Sequence, residues 1–292
     1  MKPARFRYVR PASIDEAVDV LAEQGPDAAV LAGGQSLVPL MNQRLRCPAA
    51  LIDVNFVSDL DGRDDDEASL VIGALVRQRE LESDGALGRA EPLFAEASLF
   101  VGNRQVRSRG TLVGSLAFAD PAAEYPAVLV ALGATATARS PRGERELSCA
   151  KVATGAFSSS IAADELITSV RVPKASAGRG SAYTEIAERR GARALAGAAA
   201  VVELDGDGSV ASCRVVLVGV ADVPLQVGGL ESLRGEPIPT GKEIRKLLTA
   251  WTRNIPVRAD RRADPRYKLA LAAEVSISAL LCAGGRARRL AR

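Results

Sequence analysis

The sequence contains no histidine, and this absence excludes several classes of chemistry. Without histidine the chain cannot build a Ser-His or Cys-His nucleophile pair, the usual zinc sites, or a flavin tethered to a histidine ring. Its four cysteines, Cys47, Cys149, Cys213 and Cys282, are far apart and form no C-x-x-C pair. Isolated cysteines are more often small buried residues than cluster ligands. We therefore predict no catalytic residue and no metal site in this chain, so its chemistry must come from a bound cofactor or a partner.

Aromatic residues and long apolar runs are also scarce. Only 4% of the residues are aromatic and the net charge is +3, so we predict no nucleic-acid binding. The basic stretch 286–292 is predicted to be a solvated or frayed tail. No apolar run reaches the roughly 18 residues that span a bilayer, and the amino end lacks the apolar segment of a signal peptide. We expect a cytoplasmic protein with no membrane span.

The remaining pattern predicts an α+β protein in three pieces, because 292 residues exceed what one core usually holds. Ser13 and Glu16 form a capping box that starts a helix ending at Gly25. The other elements predicted in the first piece are strands at 28–32 and 51–54 and a short helix at 37–45. The acidic segment 61–67 is predicted to be a surface turn at a boundary.

The second and third pieces meet at a small, polar, glycine-containing linker, residues 174–180. Before the linker we predict strands at 70–74, 128–138 and 165–172, and helices at 76–81 and 91–100. After it we predict strands at 182–187, 198–204 and 210–218, a hairpin turn at 205–208, and helices at 241–251 and 265–281.

The strongest local signal is the loop Ala32-Gly33-Gly34-Gln35-Ser36. A buried strand ends here, two glycines let the backbone turn, and a helix begins. Consecutive N–H groups in such a loop form an anion nest that suits a pyrophosphate. A single Gly-Gly turn in isolation is more often a plain turn, and the spacing matches neither G-x-G-x-x-G nor the P-loop.

A second loop, residues 109–115, precedes the segment 119–126 and has a similar character. Thr111 and Ser115 offer hydroxyl groups, and Glu124 could accept hydrogen bonds from ribose hydroxyls. The alternative is a glycine-containing turn followed by a capped helix with Glu124 on its solvated face. Taken alone, this loop favours that alternative.

Together, the two loops carry a family resemblance. The sequences F-R-Y-V-R-P at 6–11 and A-G-G-Q-S-L-V-P-L-M-N at 32–42 resemble the medium, flavin-binding subunits of molybdenum hydroxylases such as aerobic carbon monoxide dehydrogenase and xanthine dehydrogenase. Further matches are I-G-A at 72–74, R-Q-R-E-L-E at 77–82, G-T-L-V-G-S-L-A-F-A-D-P-A-A-E-Y-P at 110–126, L-I-T-S-V at 166–170 and A-G-A-A-A-V-V at 196–202. The resemblance thus covers nearly the whole chain.

The resemblance implies a vanillyl-alcohol-oxidase (PCMH-type) FAD-binding fold over residues 1–175, with subdomains of about 1–57 and 58–175. A C-terminal α/β domain of the carbon monoxide dehydrogenase flavoprotein type would follow at 180–285, and then the tail 286–292. Both loops would hold the pyrophosphate of a non-covalent FAD, with Glu124 near its adenosine and Val101, Leu166 and Ile167 near the isoalloxazine. The implied cofactor-binding residues are Ala32, Gly33, Gly34, Gln35, Ser36, Leu37, Val101, Thr111, Gly114, Ser115, Glu124, Leu166 and Ile167.

The family also implies partners. An iron–sulfur small subunit and a molybdopterin large subunit would assemble with this chain, as a heterohexamer of two heterotrimers. The chain would be an oxidoreductase subunit that passes electrons from the clusters through FAD to an external acceptor. Substrate oxidation would take place on the large subunit.

Two departures from the family leave alternatives open. Relatives usually read T-x-G-G in the second loop, where this chain has Val113 before Gly114. Valine resists positive φ and adds bulk near a phosphate, which bears on the geometry of the loop. Relatives commonly have Gly-Asp-aromatic where this chain has Gly191, Ala192 and Arg193. The alternatives are a stand-alone flavoenzyme in a biosynthetic pathway and a flavin-free scaffold that kept the fold.

Overall fold

The computed structural model describes residues 2–251 and 255–291, and its first unit is a small parallel sheet. The elements of this unit are β1 (Arg7–Val9), α1 (Ile14–Gln24), β2 (Ala28–Leu31), α2 (Leu37–Asn42) and β3 (Ala50–Asp53). The strands lie in the order β1-β3-β2. The predicted cap of α1 is confirmed, because Ser13 Oγ accepts from the Glu16 N–H at 3.1 Å and the Glu16 carboxylate accepts from the Ala12 N–H at 2.7 Å.

The second unit is a five-stranded antiparallel sheet, β4-β5-β10-β6-β7, with six helices and a small hairpin inserted between its strands. Its elements are β4 (Arg63–Asp65), β5 (Ser69–Gly73), α3 (Gln78–Ser83), α4 (Gly85–Ala90), α5 (Pro92–Ser98), α6 (Arg104–Arg109), α7 (Leu112–Phe118), α8 (Glu124–Leu132), β6 (Thr135–Ser140), β7 (Gly143–Ser148), β8 (Ala153–Gly155), β9 (Ser158–Ser159) and β10 (Leu166–Pro173). β8 and β9 pair only with each other.

The third unit follows the predicted linker and is an antiparallel sheet, β11-β12-β13-β14. Its elements are β11 (Arg179–Ile186), β12 (Ala196–Leu204), β13 (Val210–Val218), β14 (Leu225–Gln226), α9 (Gly241–Trp251) and α10 (Pro265–Leu290). The predicted hairpin turn is confirmed, with the Gly208 N–H donating to the Asp205 carbonyl at 2.9 Å. α10 packs along β11 and β12.

The prediction of a strand at 128–138 is wrong over its first half. Residues 124–132 form α8, and all nine of them are buried. The helix packs against β10 on one side and against β12 and β13 on another, and Arg214 of β13 donates to the Ala131 carbonyl at its carboxyl end at 2.7 Å. A helix that is covered all round carries no apolar stripe, so its sequence resembles that of a buried strand.

Two further predictions are corrected, while the other predicted elements are present with ends shifted by a few residues. Residues 286–290 are not a frayed tail, because α10 continues to Leu290; Arg292, also part of that prediction, lies outside the described residues. Arg286 donates to both carboxylate oxygens of Glu96, at 2.7 and 2.9 Å, and so ties the end of α10 to α5. The segment 61–67 is not only a turn, since Arg63–Asp65 pairs with β5 as an exposed edge strand.

Among the described residues, α10 alone is long and apolar enough in composition to cross a bilayer. Within the fold, 56% of its most apolar window is buried. It packs against the third sheet, as the core helix of a globular domain does. Its composition is therefore weak evidence for a membrane span.

Candidate cofactor-binding site

The two glycine-containing loops meet backbone to backbone. A Cβ atom placed on Gly33 would lie 2.4 Å from the carbonyl oxygen of Arg109 and 2.7 Å from Cα of Gly110. No side chain fits at this position without moving one loop away from the other. Gly34 has φ = +72°, a left-handed conformation that glycine adopts at little cost. The sequence placed both glycines in one turn; the structure adds that the turn rests on the second loop.

Unpaired backbone N–H groups lie on both sides of this contact. In residues 2–251 and 255–291, no group accepts a hydrogen bond from the N–H of Gly34, Gln35 or Ser36. The same holds for the N–H of Val113, at the start of α7, whereas the N–H of Leu112 belongs to the isolated bridge that pairs Arg77 with Thr111. Neighbouring N–H groups without partners are the donor set that binds an anion such as a pyrophosphate.

The side chains of the first loop leave these donors accessible. Gln35 folds back to donate from Nε2 to the Gly33 carbonyl at 3.2 Å. Ser36 precedes α2, and its hydroxyl caps no N–H group of that helix. Leu37 is the first residue of α2, and the turn is closed by the Val38 N–H donating to the Gly34 carbonyl at 3.0 Å.

In the second loop, Thr111 is committed to the fold. Its buried hydroxyl caps α7 by accepting from the Gly114 N–H at 3.0 Å. A Cβ on Gly114 would lie 2.6 Å from that hydroxyl oxygen, so glycine is required for the cap as built. Ser115 follows on the first turn of α7 and is half-buried.

The concern about Val113 is not borne out by its conformation. Val113 lies inside α7 and does not have a positive φ. Val113 is 4% exposed, and its side chain packs in the main core. The geometry of the second loop does not depend on a glycine at this position.

Asn55 and Arg77 hold the two loops together, and sequence reasoning did not identify either as a site residue. Asn55 Nδ2 donates to the Ala32 carbonyl at 2.9 Å, and Asn55 Oδ1 accepts from Arg77 at 2.7 Å. The other terminal nitrogen of Arg77 donates to the Arg109 carbonyl at 2.9 Å. Asp53 accepts from Asn55 and from the hydroxyl of Tyr8, which extends the network to β1. Carbonyl groups of both loops are thereby fixed by one pair of side chains.

The residues expected near the isoalloxazine are buried. Val101 is 7% exposed, and its carbonyl accepts from the buried Arg107 at 2.8 Å. Leu166 and Ile167, at 5% and 3% exposure, begin β10, against which α7 packs. Leu166 and Ile167 therefore lie on a strand that contacts the helix beginning in the second loop.

Glu124 is buried, which corrects the alternative that placed it on a solvated face. It begins α8, and burial raises its pKa to about 8, with Glu185 of β11 adding to the shift. Burial also raises the pKa of Glu185 to about 7, although its hydrogen bond from the Tyr183 hydroxyl opposes the shift. Two carboxyl groups from different domains thus change charge close to neutral pH.

Comparison with known families agrees with this arrangement. Residues 4–175 match the domain family "FAD binding domain in molybdopterin dehydrogenase". Residues 181–283 match the domain family "CO dehydrogenase flavoprotein C-terminal domain". The medium chain of carbon monoxide dehydrogenase from Hydrogenophaga pseudoflava is 33% identical over 98% of this chain and 99% of that protein. The chain belongs to this FAD-binding family.

Other relatives and solved structures agree with the family. The alpha subunit of the 6-hydroxypseudooxynicotine dehydrogenase complex of Paenarthrobacter nicotinovorans is 40% identical, over 80% of this chain and 79% of that protein. A carbon monoxide dehydrogenase structure from Hydrogenophaga pseudoflava superposes with a TM-score of 0.94 at 34% identity, covering 98% of this chain and 99% of that one. For quinoline 2-oxidoreductase from Pseudomonas putida 86 the TM-score is 0.91 at 32% identity, covering 98% and 99%.

Family membership settles the broad character of the protein. It is an FAD-binding oxidoreductase subunit, and its relatives are subunits of multi-subunit dehydrogenases. The alternatives of a stand-alone flavoenzyme and a flavin-free scaffold are not favoured. The free N–H groups and the close contact at Gly33 fit the FAD that the family binds.

We predict that Arg77→Ala lowers the free energy of unfolding by about 2 kcal/mol, because it removes two hydrogen bonds from a cation and leaves Asn55 Oδ1 without its donor. Urea unfolding would measure the loss. Arg79→Ala, an exposed arginine two residues away, is the matched control and should change the value little. If both substitutions changed the free energy of unfolding equally, the link between the loops would not contribute to stability.

A second prediction concerns pH. Because the folded-state pKa of Glu124 is raised to about 8, from 4.5, its contribution to stability is complete below about pH 4.5 and is lost as the pH rises through about 8. Between about pH 5 and about pH 9 the free energy of unfolding of Glu124→Gln should therefore fall less than that of the wild type, by a difference on the order of 4 kcal/mol. Urea unfolding across this range tests it, with the exposed Glu67→Gln as control. Parallel pH profiles for all three proteins would refute the assignment.

Proposed function

We propose that the paired loops hold the pyrophosphate of FAD through backbone N–H groups. The observation that carries this is the contact of Gly33 with the second loop, flanked by the unpaired N–H groups of Gly34, Gln35 and Ser36. Ala32, Leu37, Thr111 and Gly114 shape the two loops, and the hydroxyl groups of Ser36 and Ser115 add donors. Asn55 and Arg77 would hold the two loops in their relative positions without binding the phosphate themselves.

The remaining site residues would surround the two ends of the cofactor. We propose that Val101, Leu166 and Ile167 form apolar walls beside the isoalloxazine and exclude water from it. Glu124 would hydrogen-bond to the adenosine part; its raised pKa lets it carry a proton near neutral pH, so that it can donate as well as accept. We divide the chain into the FAD-binding domain, 1–175, with subdomains of about 1–57 and 58–175, and a C-terminal domain, 180–285.

We propose that the chain works between an iron–sulfur small subunit and an external electron acceptor. FAD, when bound, supplies the redox chemistry that lets electrons pass from clusters to such an acceptor. The chain's own part is to orient the cofactor and to shield it. A molybdopterin large subunit would oxidise the substrate, and two heterotrimers would form a heterohexamer in the cytoplasm.

Gly34→Val should abolish FAD binding while the protein remains folded. Valine disfavours φ = +72°, and its Cβ would lie 3.1 Å from Leu31 Cδ1 and 3.2 Å from Val38 Cγ2, so the turn that presents the N–H groups must change. Titration with FAD, followed by flavin fluorescence, measures the loss.

The matched control is Gly208→Val, in the hairpin turn of the C-terminal domain. Gly208 has a comparable φ of +84° with no neighbouring atom within 4 Å of an added Cβ, so it reproduces the backbone strain away from the loops. Gly208→Val should bind FAD as the wild type does. If folded Gly34→Val, checked by circular dichroism, also binds FAD normally, the loop is not the pyrophosphate site.

The proposed assembly predicts co-purification. Among the described residues no group of three or more His, Cys, Asp or Glu side chains could hold a metal ion, and we place the cluster and molybdenum chemistry in partner chains. Affinity purification from the native host should yield this chain with an iron- and sulfide-containing small subunit and a larger subunit that contains molybdenum. Recovery of the flavin-loaded chain alone would contradict the proposed complex.

A further inference from the structure

A cavity of about 290 Å³ lies at the junction of the two domains, and none of the residues assigned to FAD lines it. The segment before α8 is joined to the third sheet there, with the Gly219 N–H donating to the Pro121 carbonyl at 2.8 Å. The segment before α10 closes another side, as Arg262 donates to the Arg193 carbonyl at 2.8 Å. The lining residues are Asp120, Pro121, Ala122, Phe157, Arg193, Gly219, Arg258, Asp260, Arg261 and Arg262.

The lining is held in place by a buried cation. Lys268 of α10 is 0% exposed, and its Nζ donates to the Gly219 carbonyl and to an Asp260 carboxylate oxygen, both at 2.9 Å. Both acceptors belong to residues of the lining. The Arg258 N–H also donates to the Val220 carbonyl at 2.7 Å. The cavity is therefore pre-formed by hydrogen bonds rather than enclosed by loose side chains.

The charge of the lining is positive. Its four guanidinium groups outnumber its two carboxylates. Arg193 pairs with Asp120 at 2.7 Å and Arg258 with Asp222, just outside the lining, at 3.1 Å. Arg261 is exposed, and in the described part of the chain its side chain has no ion-pair or hydrogen-bond partner. A guanidinium group without a partner, close to other guanidinium groups in a concave site, suits a phosphate or a carboxylate.

An aromatic ring lies beside these cations. Phe157 lines the cavity with 48% of its surface exposed and has φ = +57°, which is costly for a bulky residue. Its N–H donates to the Ala119 carbonyl at 2.8 Å, and its ring meets Phe118 edge to face at 5.4 Å. The guanidinium of Arg193 lies 5.9 Å from the centre of the ring. The backbone is thus held in a conformation that keeps an aromatic face at the cavity.

We propose that this cavity binds a small ligand in which a phosphate or carboxylate group is attached to a planar ring. The ring would stack on Phe157, and the anionic group would bind Arg193 and Arg261. A volume of about 290 Å³ accommodates a mononucleotide or an aromatic acid rather than a dinucleotide, since pockets for drug-sized ligands start at roughly 300 Å³. The proposal requires that bound FAD leave this cavity free.

Isothermal titration calorimetry of the purified chain, with and without added FAD, tests the proposal with three probes: AMP, benzoate and inorganic phosphate. AMP or benzoate should bind the FAD-loaded protein. Arg193→Ala and Arg261→Ala should each weaken binding about tenfold, whereas Arg234→Ala, an exposed arginine outside the cavity, should not. Phe157→Leu should weaken the ring-bearing probes and leave inorganic phosphate unaffected.

Several results would overturn the proposal. One is that no probe binds, and another is that the bound probe releases FAD, which would assign the cavity to the cofactor's own site. Binding of inorganic phosphate as tightly as both ring-bearing probes would remove the role of Phe157. Arg261 is exposed and unpaired, so its substitution leaves the fold intact; wild-type affinity in a folded Arg261→Ala protein would refute the assignment of the anionic group.

Discussion

The cofactor site depends on the contact between the backbone of Gly33 and the backbone of Arg109 and Gly110. This contact puts two loops from different units, separated by more than seventy positions in the chain, within van der Waals distance. Neither loop alone offers more than a short row of N–H groups, but together they present donors on two sides. Asn55 and Arg77 maintain this geometry by binding carbonyl groups of both loops, so the donors remain free for a ligand.

A feature could be predicted from the sequence when the residues that form it are close together in the chain. The cap at Ser13 and the turn at Gly208 depend on near neighbours, and both were predicted correctly. The contact between the loops and the link from Asn55 to Arg77 join residues far apart in the chain, and no local pattern reports them. Arg77 lies in the R-Q-R-E-L-E sequence at 77–82 that resembles the family, and this motif is the signal that points to it.

The predictions that the structure corrects share a physical cause. Each rests on the pattern of one segment, whereas the conformation of that segment depends on its packing against distant parts of the chain. Residues 128–132 have the pattern of a buried strand because both sheets cover α8, so the helix needs no polar face. The sequence around Arg286 indicates a frayed tail because its partner Glu96 lies 190 positions away, on α5. Val113 was expected to disturb a phosphate loop, but the preceding Thr111 already begins the helix, so the valine fills the core instead.

The absence of histidine also shapes the electrostatics between the two domains. In a chain without imidazole, a carboxyl group can titrate near neutral pH only if its pKa is displaced. Glu124 and Glu185 are such groups, because both are buried where the third sheet packs against α8. Desolvation of each carboxyl group opposes its charge, and a second charge nearby raises the cost further. The domains are therefore held together most strongly when Glu124 is protonated, so that closure of the interface and protonation of Glu124 are linked.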